Sequence, residues 1–283
     1  MLSKGDFSVY VTSAQQIPAL LPEIGRLRER TFRQVGEGSG SDTGLDRFDD
    51  YYLHAFAWDH AASAVVGAYR LGQTDKILAT HGAKGLYTST LFKFEPDFLR
   101  RLDPALELGR SFICSRYQKK HSSLAIIWKG ILRWVARDNP HYKTFFGPVS
   151  ISQEYNALSK NLIVQYLRRK LSNPEVSAFV KPRNPFKPKR ILGLEKSAIS
   201  ANLRNTEEVS ALVSEIEEDG KGVPMLIKHY LKMNATLLSF NVDPDFSNVL
   251  DGLLISDMTT TDPKLLKLYM GQELRDKFLA FHG

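Results

Sequence analysis

Apolar side chains recur at intervals of three or four residues in two stretches of this chain, a spacing that places them on one face of a helix. In the first stretch, 18–35, the shared face carries Leu20, Ile24, Leu27 and Thr31. In the second, 122–137, it carries Leu124, Ile127, Trp128, Ile131 and Val135. Both stretches are predicted to be amphipathic helices that pack on a core.

Apolar runs without helical spacing predict strands between and after these helices. The stretch LHAFAWDHAASAVVGAYRLG, 53–72, indicates a hairpin, and ALELGRSFI, 105–113, and KTFFGPVSIS, 143–152, indicate further strands. Another helix is expected within 153–171. The order helix, hairpin, strand, helix, strand, helix predicts a mixed central sheet flanked by helices, an α/β architecture.

A basic segment, KPRNPFKPKR, follows at 181–190, with five basic residues, three prolines and no acid. It is predicted to be an extended surface segment. Beyond it we expect helices near 207–218 and 224–233, a hairpin from 235–240 and 249–256, and a closing helix over 263–281. The chain is thus divided into a core, 1–180, a connector, 181–206, and a C-terminal α/β extension, 207–283, that completes the same domain.

Composition narrows the class of protein. With 43% hydrophobic and 24% charged residues the chain is an ordinary globular protein. The longest apolar runs fall far short of the roughly 20 residues that a bilayer-spanning helix needs, and no secretory signal is visible at the start, so a cytoplasmic location is expected. The single cysteine, Cys114, excludes an internal disulfide framework and is expected to be a small core residue. The net charge of +7 favours acidic partners.

Charged residues within strand-like segments are unusual, because burying one without a partner costs several kcal/mol. Glu107 and Arg110 lie in one such segment and Arg70 in another, while Asp46 and Asp49 end a Gly- and Ser-rich stretch, 35–50, that is predicted to be an exposed, mobile loop. The balance of charge fits an interlocked cluster at the open end of a sheet. Spacing alone fits separate surface pairs equally well.

Several motifs, in this order and at these distances, resemble the Gcn5-related N-acyltransferase (GNAT) superfamily: RERTF, DRFDDYYLHAFAWD, VVGAYRL, ELGRSFI and SSLAIIWKGI. They are most similar to the bacterial N-acyltransferases of ornithine-lipid and glycine-lipid synthesis, a branch often labelled hemolysin-like. The pattern of charged residues, with Arg28 and Phe32 as supporting residues, is also similar to that of acyl-homoserine-lactone synthases. FFGPVSIS and SFNVDPDFSNVLDGLL resemble the lipid-forming branch only.

The resemblance implies transfer of a 3-hydroxylated fatty acyl group from acyl carrier protein to the α-amine of an amino acid such as ornithine or glycine, the first step of aminolipid synthesis. It implies Glu107 as the base that deprotonates the amine, its pKa raised by burial and opposed by the arginines. Arg70 and Arg110 would hold Asp46, Asp49 and Glu107 or bind the acceptor's carboxylate. A backbone N–H at Phe112 would stabilise the oxyanion.

The chain departs from the superfamily pattern where coenzyme-A-dependent members have a glycine-rich turn before a helix. Here the sequence is SRYQKKHSSLA, without glycine. Ser122 or Ser123 is placed to cap the helix, whose free N–H groups suit a phosphate, and Lys119, Lys120 and His121 add cations there. This favours the phosphopantetheine arm of a carrier protein over free coenzyme A. An ordinary solvated loop is the alternative.

Other chemistry finds less support in the sequence. Asp243, Asp245 and Asp251 fit no calcium loop, and the histidines form no zinc pattern, so no metal and no permanently bound cofactor are expected. Ser39 and Ser41 lack a nucleophile elbow. The basic segment suits an anionic membrane surface, here the inner face, more than nucleic acid, although a plain connector fits as well. A signal synthase that uses S-adenosylmethionine, or a non-catalytic basic module that binds membrane or RNA, stays as an alternative function.

Overall fold

The computed structural model describes residues 2–118, 123–188 and 204–283. Its strands are β1 Leu2–Lys4, β2 Phe7–Ser13, β3 Leu53–Asp59, β4 Ala64–Gln73, β5 Phe92–Phe94, β6 Ala105–Ile113, β7 Thr144–Ile151, β8 Val180–Pro182, β9 Thr236–Asp243 and β10 Val249–Asp257. Its α-helices are α1 Leu21–Arg33, α2 Thr74–His81, α3 Pro96–Leu102, α4 Ser115–Gln118, α5 Ser123–Asp138, α6 Ala157–Leu171, α7 Pro174–Ser177, α8 Thr206–Ile216, α9 Met225–Lys232, α10 Pro263–Met270 and α11 Gln272–His282. Short 3₁₀ helices include Arg47–Asp50 and Tyr87–Thr90.

Eight of the described strands form one twisted sheet in the order β1-β2-β3-β4-β6-β7-β10-β9. Every neighbouring pair is antiparallel except β6 with β7, which is parallel. A parallel pair needs a crossover connection, and α5 supplies it. The predicted α/β class with a mixed central sheet is confirmed. β5 and β8 form a separate two-stranded ribbon.

Helices cover both faces of the sheet near its centre. α5 contacts β2, β3 and β4 on one face, and its Trp128 is fully buried against Tyr69 of β4. Successive side chains of a strand point to opposite faces, so Arg70 faces the other side. There it meets the layer that contains α1 through their shared partner Asp49. The amphipathic pattern of 18–35 and 122–137 therefore corresponds to two helices on opposite faces of one sheet.

The C-terminal strands extend the same sheet. β10 pairs with β7 over its whole length, from Leu250 opposite Ile151 to Asp257 opposite Thr144, and β9 forms the edge. The described part of the basic segment lies against the protein, because β8 pairs with β5 and Pro185 forms a bridge with Asn241. The rest of the predicted connector, 189–203, lies outside the described residues.

Three local expectations need correction. The closing helix is two helices, because Gly271 adopts φ 87°, which ends α10 and starts α11. The stretch 35–50 is not exposed throughout: Glu37 and Asp49 are buried, and 47–50 is a 3₁₀ turn. The segment between β4 and β6 also contains a helix, α2, that the short apolar pattern of TDKILATH did not reveal.

Candidate active site

The parallel strands β6 and β7 separate soon after they begin. They pair only at Ala105 with Thr144, Leu106 with Phe145 and Glu107 with Phe146. Beyond that point β6 continues along β4 and β7 continues along β10. The two strands therefore leave a wedge between residues 108–113 and 147–151, which we call the β6–β7 opening.

A β-bulge lies on β6 at the edge of this opening. Arg70 pairs with Gly109 and Ala68 pairs with Phe112, so β6 has one residue more than β4 in this interval. Arg110 takes up the extra residue with φ 50°, a conformation uncommon for a side chain of this size. A Cβ built on Gly109 would have no heavy atom within 4 Å, so there is open space next to the bulge.

An ion-pair network holds the loop before β3 against the sheet. Arg28 of α1 donates from both terminal nitrogens to Asp49 Oδ1 at 3.0 Å, and from Nη1 to the Gly44 carbonyl at 2.8 Å. Arg70 Nη1 donates to Asp46 Oδ1 at 2.5 Å and to Asp49 Oδ2 at 3.0 Å. Asp46 also caps the 3₁₀ turn through Phe48 N–H, as expected for an N-cap aspartate.

The electrostatics of this network favour the charged forms of Asp49 and Arg70, whereas burial lowers the pKa of Arg28. Burial alone would raise the pKa of Asp49, but Arg70 and Arg28 lower it to about 2. Burial likewise opposes the charge of Arg70, but Asp49 and Asp46 raise its pKa above the ordinary value. These residues are therefore ionised at neutral pH and act as a rigid support. The charged residues thus form one buried cluster and not a set of separate surface pairs.

Arg110 is bound more loosely than Arg70. Its Nη2 lies 3.4 Å from Asp46 Oδ2, and its guanidinium lies over the rings of Tyr87 and Phe246. Its Nε is buried without a hydrogen-bond partner in the described part of the chain. Phe246 in turn packs edge-on against Phe32, the predicted supporting residue of α1. Arg110 thus has donor capacity that the described residues do not use.

Glu107 is fully buried, and its carboxylate accepts hydrogen bonds from three donors. Tyr52 donates its hydroxyl to Oε2, Tyr87 N–H reaches Oε2 at 3.2 Å, and Thr88 N–H reaches Oε1 at 2.5 Å. Burial raises the pKa of Glu107, while the hydrogen bonds and Arg70 oppose the rise. The sequence likewise predicts that burial raises the pKa of Glu107 and that the arginines oppose that rise. The carboxylate is placed to anchor the 3₁₀ turn 87–90.

The backbone donor at the opening lies one residue away from the predicted Phe112. Cys114 N–H donates to Val66 of β4, and alternation along a strand directs the groups of Phe112 to the same neighbour. Ile113, between them, directs its backbone groups away from β4, and its carbonyl accepts Gln118 Nε2 at 2.8 Å. By this alternation, the N–H that faces the opening belongs to Ile113, the residue after the predicted Phe112.

The residues predicted to bind the donor arm are only partly described. Lys119, Lys120, His121 and Ser122 lie outside the described residues. Ser123 begins α5, is buried, and donates from Oγ to the Tyr117 carbonyl at 3.0 Å. A groove of about 360 Å³ lies nearby, between α1 and the ends of β4 and β6. Its lining includes Arg26, Arg30, Cys114, Ser115 and Arg116.

Three buried carboxyl groups near the β6–β7 opening were not predicted as site residues, and the charge of Arg110 acts on two of them. Glu37 accepts a hydrogen bond from Ser150 Oγ at 2.9 Å, and Asp243 and Asp251 lie on β9 and β10. Burial raises the pKa of Glu37 to about 7 and raises the pKa values of both aspartates. Asp251 lies within the apolar strand VLDGLLIS, where an acid is unusual. That pattern could have identified it as a site residue, but on sequence grounds Asp251 is considered only for metal binding.

Two kinds of feature are absent from the described ranges. No group of three or more His, Cys, Asp or Glu side chains there is arranged to hold a metal ion. No helix there is long and apolar enough to cross a membrane.

Comparison with known proteins connects this geometry to a family. A family model described as an acetyltransferase (GNAT) domain matches residues 27–129, which include the whole arginine–aspartate network and Glu107. A glycine N(alpha)-acyltransferase from Bacteroides thetaiotaomicron is 28% identical over 272 residues, covering 90% of this chain and 79% of the relative. A glycine N(alpha)-acyltransferase from Phocaeicola vulgatus is 28% identical over 270 residues, covering 90% and 81%. A solved structure, the CoA-dependent acyl-homoserine lactone synthase MesI, has a TM-score of 0.44 at 11% identity and covers 94% of this chain and 96% of that chain.

Proposed function

Because this chain is an acyltransferase with a GNAT domain, we propose that it transfers a fatty acyl group from a carrier-protein thioester to the α-amine of an amino acid. Glycine is the first acceptor to consider, since both curated relatives have it in their names. Ornithine, the other acceptor implied by the sequence motifs, is the second. A 3-hydroxyl on the acyl chain is expected from the same motifs.

The observation that carries this proposal is the β6–β7 opening with the bulge at Arg110. An extended thioester arm can lie along the edge of β6 that no strand covers beyond Glu107, as a peptide does when it adds to a sheet edge. Ile113 N–H would then donate to the thioester oxygen as the tetrahedral intermediate forms. The open space at Gly109 leaves room for the reacting carbonyl and the amine.

Arg110 is the group best placed to hold the acceptor's carboxylate. A planar guanidinium meets a carboxylate at two points, and the Nε of Arg110 has no partner among the described residues. Arg70 also has a nitrogen, Nη2, without a partner among the described residues, but it is less suited because it is 1% exposed and its Nη1 is already bound to Asp46 and Asp49. We propose that Arg70 and Arg28 fix the support and that Arg110 binds substrate. Glu107 then acts as a positioning residue for the turn 87–90.

A carrier protein is proposed as the donor because of the sequence before α5. The stretch 115–125 lacks the glycines that let a backbone wrap a pyrophosphate, and it is rich in cations. The groove beside it adds Arg26, Arg30 and Arg116, which suit an acidic partner. Coenzyme A thioesters are the direct competitor in the test.

Association with an anionic membrane stays a prediction. Part of the basic segment already has partners within the protein: Arg183 Nε donates to the Ser89 carbonyl at 2.9 Å, and Lys181 lies 3.7 Å from Glu95. Both are exposed contacts of the kind that contribute little to stability, so the lysine remains available to other anions.

The proposed function is tested by incubating the purified protein with 3-hydroxyacyl carrier protein or with the matching coenzyme A thioester. Glycine, ornithine and S-adenosylmethionine are offered separately, and N-acyl products are identified by mass spectrometry. We expect N-acylglycine or N-acylornithine, formed faster from the carrier protein. Product from S-adenosylmethionine alone would favour a signal synthase, and no product from any amine would contradict N-acyl transfer.

A further inference from the structure

Three carboxyl groups beside the β6–β7 opening lie on one face of the sheet. We call Glu37, Asp243 and Asp251 the acid trio. Ser150 of β7 pairs directly with Asp251 of β10, so their side chains share a face of the sheet. Ser150 Oγ also donates a hydrogen bond to Glu37 Oε2 at 2.9 Å.

Asp243 reaches this face through the register of the edge strand. Asp251 lies opposite Asn241 of β9, and Asp243 follows Asn241 by two residues, so it points to the same side. The charge of Arg110 acts on both aspartates, and the charges of Asp243 and Glu37 act on Asp251, so Asp251 links the other two acids.

Among the described residues, the acid trio has more negative than positive groups. Arg110 is the arginine that faces it, and Arg110 also contacts Asp46. Asp251 is 5% exposed, and its carboxylate has no hydrogen bond from any described residue. Burial and the neighbouring carboxyls together raise the pKa values of Asp251 and Asp243. A buried site with three acids and one shared arginine is stabilised by one more positive charge.

We propose that the acid trio binds the ammonium group of the acceptor amino acid and that Glu37 takes the proton from it. This inference rests on the N-acyl transfer proposed above. The acceptor is a zwitterion, so its carboxylate would lie on Arg110 while its ammonium lies on the acids next to that arginine. Both halves of the acceptor are then bound beside the opening in which the thioester arm is proposed to lie.

Glu37 is the member best suited to proton transfer. It belongs to the loop after α1, next to Gly36 and Gly38, whereas Asp251 is fixed in the interior of the sheet. Burial raises the pKa of Glu37 to about 7, where a carboxylate accepts a proton most effectively near neutral pH. Glu107 is less suited, since three donors already bind its carboxylate.

In the proposed reaction, proton transfer from the ammonium precedes the replacement of the carbon–sulfur bond by an amide bond. The Glu37 carboxylate accepts one proton from the ammonium, which gives a neutral amine. The amine nitrogen forms a bond to the thioester carbonyl carbon, and the carbon–sulfur bond breaks with its electron pair on sulfur. The second nitrogen proton passes to the leaving thiolate, so the products are an amide and a thiol, and Glu37 returns its proton to solvent.

The first test compares kcat and the two KM values over pH 5.5 to 9 for the wild type, Glu37→Gln, Asp251→Asn and Glu217→Gln. Glu217→Gln is the matched control, because Glu217 is also 8% exposed but its carboxylate accepts Asn156 N–H at 2.8 Å and not a group of the trio. We expect Glu37→Gln to lower kcat about 100-fold and to remove the fall in rate below pH 7. Asp251→Asn should raise the acceptor KM roughly tenfold and leave the donor KM unchanged.

A second pair of variants tests the role without removing the base. Ser150 lowers the pKa of Glu37 by its hydrogen bond, and Glu154 raises it by its charge. Ser150→Ala should therefore move the acid limb of the pH profile to higher pH, and Glu154→Gln should move it to lower pH. The other titratable or charged groups facing the trio are Tyr87, Arg110, Tyr155 and Asp245.

These outcomes separate the inference from the proposed function. If the wild type forms an N-acyl amino acid and Glu37→Gln and Asp251→Asn both keep its pH profile and KM values, the trio has no such role and the N-acyltransferase stands. If Glu37→Gln does not fold, opposite shifts in Ser150→Ala and Glu154→Gln still support the proposal, and unshifted profiles overturn it. A wild type without N-acyl product overturns the proposed function itself.

Discussion

Tyr52 donates its hydroxyl hydrogen to the buried carboxylate of Glu107, and the same hydroxyl oxygen accepts Tyr87 N–H at 2.9 Å. The two side chains together fix the 3₁₀ turn that carries Tyr87. The Tyr87 ring lies beneath Arg110, with 4.9 Å from the guanidinium carbon to the ring centroid. A contact in the interior of the sheet thus determines the position of the arginine at the opening.

Replacing Glu107 with glutamine should lower both stability and activity. A glutamine offers one oxygen to donors that now bind two, and its amide group would face a backbone N–H. We expect the free energy of unfolding to fall by about 2 kcal/mol, the cost of losing a charge-assisted hydrogen bond, with a lower kcat. Tyr52→Phe should cost about 1 kcal/mol by the same measure, denaturant unfolding. If Glu107→Gln keeps wild-type stability but loses activity, Glu107 is the catalytic base and not a positioning residue.

Asp49→Asn should be among the most destabilising single changes in the network. It leaves Arg28 and Arg70 buried without their shared carboxylate, and breaking a buried ion pair costs about 3–5 kcal/mol. The matched control is Asp50→Asn, next in sequence but exposed, which should leave the unfolding midpoint unchanged. Equal midpoints for both variants would show that the network contributes little to stability.

The same carboxylate predicts sensitivity to acid. The pKa of Asp49 is lowered in the folded state to about 2 from an ordinary value of 3.8, so its contribution is complete above pH 4. Stability should be lost as pH falls from about 4 to 2, by roughly 2 kcal/mol for this group. Unfolding measured across that range should be flatter in Asp49→Asn than in the wild type. An identical slope in both would assign the acid sensitivity to other groups.

The sequence predicted well what depends on local periodicity. The helix at 123–138 and the hairpin from β3 and β4 were identified because their apolar positions repeat without interruption. The helix break at Gly271 was missed, although glycine is the residue that favours such a break, because apolar residues keep helical spacing on both sides of it.

The site was predictable only in part. Arg28, Asp49 and Arg70 were identified from motifs and from charges within strands, which are unusual enough to signal a buried network. Glu37 and Asp251 were not, since they meet through the pairing of β7 with β10, a contact between residues about 100 positions apart. The bulge was also hidden, because nothing about an arginine indicates a left-handed backbone.

Arg110→Asn should separate substrate binding from folding. Asparagine tolerates positive φ, and Arg110 contributes a 3.4 Å contact with Asp46 and cation–π contacts with Tyr87 and Phe246, so stability should fall by about 1–2 kcal/mol. If Arg110 binds the acceptor's carboxylate, the acceptor KM should rise at least tenfold while the donor KM is unchanged. Arg137→Ala, an exposed arginine paired with Asp138, is the control. A large loss of stability in Arg110→Asn would show that Arg110 belongs to the structural network of Arg28, Asp49 and Arg70 and does not mainly bind substrate.

Glycine substitutions on the two walls of the opening should have opposite effects. A Cβ at Gly109 meets no atom within 4 Å, so Gly109→Ala and Gly109→Val should fold with at least wild-type thermal stability, because both residues suit a strand better than glycine. Their side chains would occupy the space proposed for the reacting groups, and kcat/KM should fall about tenfold for alanine and more for valine. A Cβ at Gly147 overlaps the Leu108 carbonyl oxygen, so Gly147→Ala should lower the melting temperature. Full activity in Gly109→Val would place the reaction elsewhere than at this bulge.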